Sequence, residues 1–230
     1  MLDFSHFDWL SFDCYGTLID WESGILGYLR PLLQSKGCSI GYDQILRLYS
    51  DFEPRQQSGD YRPYRDVLAG VVRDFARKLG VEVTDAQASG LANSIRNWRP
   101  FPDTIAGLRR LHSRYKLAIL SNIDDDLFAH SAARLQVPFD CVVTAQQVGS
   151  YKPSLRNFET LLERLAIPRD RLLHIAESLY HDVAPARSLG IATLWVNRRQ
   201  GKSAAASKFV DAVPDVQVAN IQQLADVVGC

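Results

Sequence analysis

The sequence predicts an α/β fold, a doubly wound parallel sheet interrupted after its first strand by an inserted helical cap. Three observations carry this expectation. Short runs rich in β-branched and aromatic residues recur at residues 7–12, 117–121, 141–144, 172–176 and 191–196. The later runs are separated by segments with helical spacing at 124–135, 157–165 and 183–189. Strands that alternate with helices need crossover connections, and therefore a parallel sheet covered on both faces. Residues 21–99 contain no convincing strand.

Taken in order, the first run is apolar and ends in LSFDCYGTLIDW, in which Asp13 follows directly on the strand. Ionising a carboxylate in such a place is costly, so its charge calls for a use. The segment after it is helical, with apolar positions at Ile45, Leu46, Leu48 and Tyr49, then Val67, Leu68, Val71, Val72 and Phe75, then Ala88, Leu91 and Ile95. The sequence Pro100-Phe-Pro-Asp-Thr restarts the alternation at a helix with Asp103 or Thr104 near its N-cap. The expected division is an α/β core from residues 1–20 and 100–230 and a helical cap from 21–99. No repeat or low-complexity tract interrupts it, and GKSAAASK at 201–208 reads as a loop.

Composition narrows the function classes. A chain of 230 residues is long enough to bury a core without a metal or disulfide staple. Lys+Arg and Asp+Glu are equal at 26 each, so no overall field draws the protein to nucleic acid or to an anionic membrane. Cys14, Cys38, Cys141 and Cys230 lack the spacing of a zinc knuckle or a disulfide framework and are expected as reduced thiols. His6, His112, His130, His174 and His181 show no metal spacing. With acids rather than a basic, apolar leader in MLDFSHFD and no run of membrane-spanning length, the expectation is a cytoplasmic protein.

In an open parallel sheet, ligands bind outside the carboxyl ends of the strands where strand order reverses. Asp13, Ser121-Asn122, Tyr151-Lys152 and the segment 177–182 all follow strands or lie in the next loop, so they should meet at one edge. These residues carry a resemblance that covers nearly the whole chain. FDCYGTLID with Asp13 and Thr17, LSNID with Ser121, VGSYKP with Lys152 and AESLYHD ending in Asp182 resemble the four signatures of the haloacid dehalogenase superfamily, whose core is Rossmann-like. Singly, Asp13 has a plain reading as a turn residue, Ser121 and Asp124 as helix caps, and Lys152 as a surface lysine. Four matches in order, each after a strand, favour a site.

The resemblance implies a nucleophilic role for Asp13, with Lys152 keeping it ionised, Asp182 orienting Lys152 and helping to place water, and Thr17 and Ser121 donating hydrogen bonds. Backbone N–H groups around Asn122 would open a helix that favours an anion. The acids 124–126 are read as first-turn acids that favour the macrodipole, without a catalytic role. Phosphatases of the superfamily resemble D-x-D-G-T, but here Tyr15 takes the place of the second acid, and a phenol with a pKa of about 10 is a poor proton donor at neutral pH. The D-x-Y-G-T pattern instead resembles the type II 2-haloacid dehalogenases, in which halide leaves without a proton and no metal or other cofactor is used. Tyr15, Ser121 and Asn122 match positions that hold the substrate carboxylate there.

Two departures bear on the leaving group. SDFEPRQQSG stands where those dehalogenases carry a halide-receiving arginine pattern, and Glu177-Ser-Leu-Tyr-His-Asp182 replaces S-S-N-x-W-D. The segments DCYGTLIDWE, LSNID, VGSYKP and AESLYHD bear a closer resemblance to the azetidine-2-carboxylate hydrolases, for whose ring ammonium Glu53 or Glu177 would be a better neighbour than an arginine. Trp21, Glu53, Gln56, Tyr61 and Arg62 are the expected cap lining, with Glu177 and Ser178 on the core side. The expected partner is a small carboxylate, and a homodimer is compatible with the resemblance. A magnesium-dependent phosphatase tolerant of Tyr15 and a catalytically silent binding protein are the alternatives.

Overall fold

The computed structural model describes residues 2–198 and 211–230. The loop expected at 201–208 lies outside the described residues. Six parallel strands form one sheet: β1 (Trp9–Phe12), β2 (Lys116–Ser121), β3 (Cys141–Thr144), β4 (Leu172–Ala176), β5 (Ala192–Val196) and β6 (Val216–Val218). Their spatial order is β3-β2-β1-β4-β5-β6. The chain therefore leaves β1 toward one edge, then returns to β4 on its other side and proceeds to the opposite edge. That reversal opens the crevice in which such sheets bind ligands.

Each strand that sequence patterning marks is present. β1 begins at Trp9 rather than Phe7 because Phe4–His6 form a tight 3₁₀ turn, with Asp3 accepting the Ser5 N–H at 3.0 Å. β6 has only three residues, too few for a periodic signal, and pairs beside β5 through Trp195↔Gln217.

Four helices follow β1: α1 (Trp21–Ser35), α2 (Tyr42–Gln57), α3 (Tyr64–Leu79) and α4 (Asp85–Ser94). They pack on one another. Asp20 caps α1 by accepting the Ser23 N–H, and Thr84 with Gln87 forms a reciprocal capping box on α4. The N-terminus of α3 follows Pro63 and has no cap of its own. The remaining helices are α5 (Thr104–His112), α6 (Asp125–Leu135), α7 (Ala145–Val148), α8 (Leu155–Leu165), α9 (Ala184–Ser188) and α10 (Ile221–Val227). The helix expected at 183–189 is a π turn at Leu179–Val183 leading into α9.

One apolar cluster runs without a break from Leu10 and Phe12 in the sheet, through Leu18 and Ile25, to Leu68 and Phe75 in the four helices. A second cluster, with Leu120, Val143, Phe158 and Leu161, fills the other face of the sheet beneath α8. Fully burying side chains of this size stabilises by about 1.5–3 kcal/mol each. Among the described residues, no helix is long and apolar enough to cross a membrane.

Candidate active site

The carboxyl ends of β1, β2 and β4 place Asp13, Ser121 and Glu177 side by side, and the loop after α7 brings Lys152 under them. Lys152 is 2 % exposed, so its charge must be met by protein groups. Its Nζ donates to Asp13 Oδ1 at 2.9 Å, to Asp182 Oδ1 at 2.6 Å and to the Leu120 carbonyl at 2.9 Å. An ammonium has three protons, and all three are taken. Asn122 fixes the backbone of this lysine from both sides, since its Nδ2 donates to the Lys152 carbonyl at 3.0 Å and its Oδ1 accepts the Lys152 N–H at 2.7 Å.

Thr17 Oγ1 donates to Asp13 Oδ2 at 2.8 Å and accepts the Glu177 N–H at 2.9 Å, which ties the loop after β1 to the loop after β4. Arg198 holds the Thr17 carbonyl from behind at 2.6 Å.

The two buried acids diverge. Burial pushes the Asp13 carboxyl above its ordinary range and the nearby Asp182 adds to this, while Lys152 and Thr17 only partly offset them. Burial would also raise Asp182, but Lys152 and His174 outweigh it and hold that carboxyl well below the usual range. For Lys152 itself, burial works against the charge and the two facing carboxylates overcome it, so its pKa is raised. Asp13 is thus the more basic carboxylate of the pair, and the neighbouring ammonium supports its ionised form.

Above these groups is a cavity of about 280 Å³. Asp13, Ser121, Asn122, Lys152, Glu177, Ser178 and Asp182 line its core side, and Trp21, Tyr49, Glu53, Tyr64 and Trp98 line the opposite side. The Ser121 hydroxyl is buried and has no hydrogen-bond partner. Glu53 accepts from Tyr64 Oη at 3.0 Å and Gln57 Nε2 at 2.9 Å, and burial pushes its pKa up to about 7.

The chain matches the haloacid dehalogenase-like hydrolases over residues 7–190. It belongs to that family. This hydrolase is 28 % identical to (S)-2-haloacid dehalogenase H-109 of Pseudomonas putida over 229 residues, covering 94 % of this chain and 95 % of the relative. It is 28 % identical to an (S)-2-haloacid dehalogenase of Pseudomonas sp. strain YL over 194 residues, 82 % of each chain. Its fold superposes on that of L-2-haloacid dehalogenase from Xanthobacter autotrophicus with a TM-score of 0.82 at 21 % identity, covering 97 % of this chain and 98 % of the other.

Of the residues singled out in the sequence, the hydrolase brings Asp13, Tyr15, Trp21, Glu53, Ser121, Asn122, Lys152, Glu177, Ser178 and Asp182 to one cavity. Thr17 stands behind Asp13. Gln56 is a correction: its amide turns away from the cavity, donating to Asp74 at 2.7 Å and accepting from Arg62 at 2.9 Å. Three positions beyond Glu53 on α2 it shares that helix face, and it is the pull of Asp74 and Arg62 on its amide that takes the side chain out of the lining. Tyr61 and Arg62 also lie outside the lining. α6 starts at Asp125, three residues beyond Asn122, so no helix terminus opens at Asn122. Asp124, expected as a first-turn acid, instead accepts backbone N–H groups from α3. Cys14 is fully buried within the apolar cluster.

Tyr49, Tyr64, Trp98 and His181 line the cavity without having been singled out as site residues. Tyr49 was legible in principle, because it lies four residues before Glu53 on one helix and shares its face. Tyr64 and Trp98 reach the cavity through the packing of separate elements, which spacing does not reveal.

Proposed function

We propose that this hydrolase displaces a substituent from the α-carbon of a small 2-substituted carboxylic acid, with Asp13 as the nucleophile and an ester on its side chain as the intermediate. A carboxylate oxygen of Asp13 bonds to the α-carbon as the leaving group departs with the bonding electron pair. Water then adds to the ester carbonyl of Asp13, and the hydroxy acid leaves carrying one original aspartate oxygen. Lys152 supports the charge on Asp13 throughout. Asp182 orients Lys152 and assists the water, and Ser121 donates its unpaired hydroxyl to the substrate carboxylate. Residues 21–99 act as a cap that excludes bulk water.

The observation that carries this reading is the position of Tyr15. A general acid is needed to expel an alkoxide from a phosphate ester, and the Tyr15 hydroxyl is bonded to Ser131 Oγ at 2.8 Å with its pKa raised by burial. Carbon–halogen cleavage, and opening of a strained ring whose nitrogen is already an ammonium, need no such donor. Metal-free chemistry is supported by Lys152, which already supplies positive charge to both Asp13 and Asp182. The cavity volume suits an acid of a few carbon atoms.

Two leaving groups fit the site. Halide is favoured by the similarity to proteins named (S)-2-haloacid dehalogenases. Ring opening of azetidine-2-carboxylate is favoured by the lining: among the described residues it includes no arginine, and the carboxyl groups of Glu53, Glu177 and Asp51 offer oxygens that can accept from a ring ammonium.

The test is to incubate the enzyme with (S)-2-chloropropionate and (S)-azetidine-2-carboxylate in parallel, with and without EDTA. Mass spectrometry of quenched enzyme should find the adduct on Asp13, and multiple turnovers in oxygen-18 water should label that side chain. Full activity in Asp13→Asn, or product without an adduct, overturns the proposal.

A further inference from the structure

His174 belongs to the interior of the sheet, not to the cavity lining. It sits in the middle of β4 at 1 % exposure, with its ring edge-on to Phe158 at 5.2 Å between centroids. A buried imidazole needs partners for both nitrogens, and both are present. Nε2 lies 3.0 Å from Asp182 Oδ1, and Nδ1 lies 2.8 Å from Ser11 Oγ. Ser11 and His174 are paired residues of the adjacent parallel strands β1 and β4, so the sheet register itself fixes the second contact.

Asp182 settles what Nε2 must carry. Asp182 is held ionised and can only accept, so Nε2 carries the proton toward it. On the other side the Ser11 hydroxyl, which can donate or accept, meets Nδ1. The result is an unbroken buried chain, Ser11–His174–Asp182–Lys152–Asp13, that begins two residues before the nucleophile and returns to it. Within this chain both Lys152 Nζ and His174 Nε2 converge on the same oxygen, Asp182 Oδ1. Fixing Oδ1 at two points fixes the direction of Oδ2 in a residue that also lines the cavity.

We propose that His174 is a positioning residue: with Ser11 fixing its ring from the other side, it locks Asp182 so that one carboxylate oxygen holds Lys152 against Asp13 and the other faces the position of the hydrolytic water. This rests on the ester mechanism proposed above. His174 touches neither substrate nor the reacting atoms, so its loss should leave binding nearly unchanged and slow turnover. The titratable groups that face Asp182 are Lys152 from the loop after α7, His174 from β4 and Asp13 from the end of β1. Removing the His174 donor weakens support for the ionised carboxylate, which displaces the acid limb of the kcat profile to higher pH.

The experiment compares the whole enzyme with His174→Phe, which keeps an aromatic ring against Phe158, with His174→Gln, which restores an N–H donor, and with Ser11→Ala. With whichever of (S)-2-chloropropionate or (S)-azetidine-2-carboxylate is turned over, His174→Phe should lower kcat on the order of tenfold or more, by analogy with the loss of residues that orient metal-ligating side chains. Ester should accumulate on Asp13, so KM should fall along with kcat and kcat/KM should change less than kcat does, and the acid limb should move up. His174→Gln should recover most of the rate.

A folded His174→Phe enzyme with wild-type kcat and an unmoved profile overturns the proposal. A second measurement needs no substrate: imidazole nitrogen-15 NMR of the resting enzyme should show a proton on Nε2 of His174, with its resonance shifted by Asp182→Asn. An unprotonated Nε2, or a resonance indifferent to Asp182→Asn, also overturns it. Turnover of neither probe, together with a protonated Nε2 and its response to Asp182→Asn, counts against the ester mechanism and leaves the relay arrangement supported.

Discussion

Asp124 Oδ1 accepts the backbone N–H of Tyr64 at 2.8 Å, and its Oδ2 accepts that of Arg65 at 2.9 Å. The acid lies on the loop after β2, whereas the two N–H groups open α3, which lacks a cap of its own. A helix N-terminus otherwise leaves its first donors unpaired, so this contact supplies a missing cap and ties the four-helix segment to the sheet. The Arg65 side chain reinforces it through Asp126, and Tyr151 Oη donates to the Arg62 carbonyl at 2.7 Å nearby. Asp124→Ala should cost about 1–2 kcal/mol, the range for loss of an N-cap. Amide exchange at Tyr64 and Arg65 should quicken and KM should rise more than kcat falls. Unchanged protection at those two amides would show that the strut does not hold α3.

Lys152 is the only cation between Asp13 and Asp182 among the described residues, so its removal should be felt in both stability and turnover. Lys152→Met leaves two facing buried carboxylates, one of which must take up a proton near neutral pH. Breaking a buried pair from one side typically costs about 3–5 kcal/mol, and turnover should be lost. Urea unfolding of Lys152→Met, Asp182→Asn and the double variant forms a cycle. The double variant should be less destabilised than the sum of the single ones. Additive losses would mean that the pair is not energetically coupled.

The fold was legible because β-branched runs at one spacing and helical runs at another are written directly into the chain, and the site because Asp13 and Ser121 stand at strand ends while Lys152 and Asp182 lie in the connections that follow β3 and β4. What the sequence did not disclose depends on packing between distant elements. His174 reads as an isolated histidine within an apolar strand until the register of β1 and β4 sets it beside Ser11. Asp124 reads as a local helix acid until α3 packs above it. Gln56 lies close to Glu53 in sequence but turns toward Asp74, a partner 18 residues away that no periodicity identifies.

Glu53 should leave a mark on stability as pH changes. Its pKa is raised from 4.5 to about 7 in the folded chain, so the folded state holds a proton that the unfolded state has released. Its contribution is therefore fully present below pH 4.5 and is lost as pH rises through about 7. Glu53→Gln keeps an oxygen for Tyr64 and Gln57 and removes the titration. The stability difference between this variant and the wild type should be small at pH 4.5 and grow in favour of the variant by up to about 3 kcal/mol by pH 8. Differences of paired melts isolate this group from Asp8 and Asp126, whose lowered pKa values act in the opposite direction. A difference that stays constant between pH 4.5 and 8 would count against a perturbed Glu53.

The shape of the cavity should respond to a methyl group on α1. A Cβ built on Gly24 would lie 2.4–2.6 Å from three ring atoms of Trp98, and that ring both lines the cavity and meets Tyr15 edge-on at 5.8 Å. Trp98 Nε1 is anchored to Ser94 Oγ at 3.0 Å, so the indole cannot simply swing aside. Gly24→Ala brings about 1 kcal/mol of helix propensity, set against an overpacking cost of about 1–3 kcal/mol. The net expectation is a loss of up to about 2 kcal/mol, with a raised KM and altered tryptophan fluorescence. Gly27 lies one turn along the same helix, exposed and with nothing within 4 Å of a built Cβ. Gly27→Ala should therefore stabilise by about 0.5–1 kcal/mol and leave KM unchanged. Equal shifts in the two variants would show that backbone propensity, not the approach of Trp98, governs Gly24.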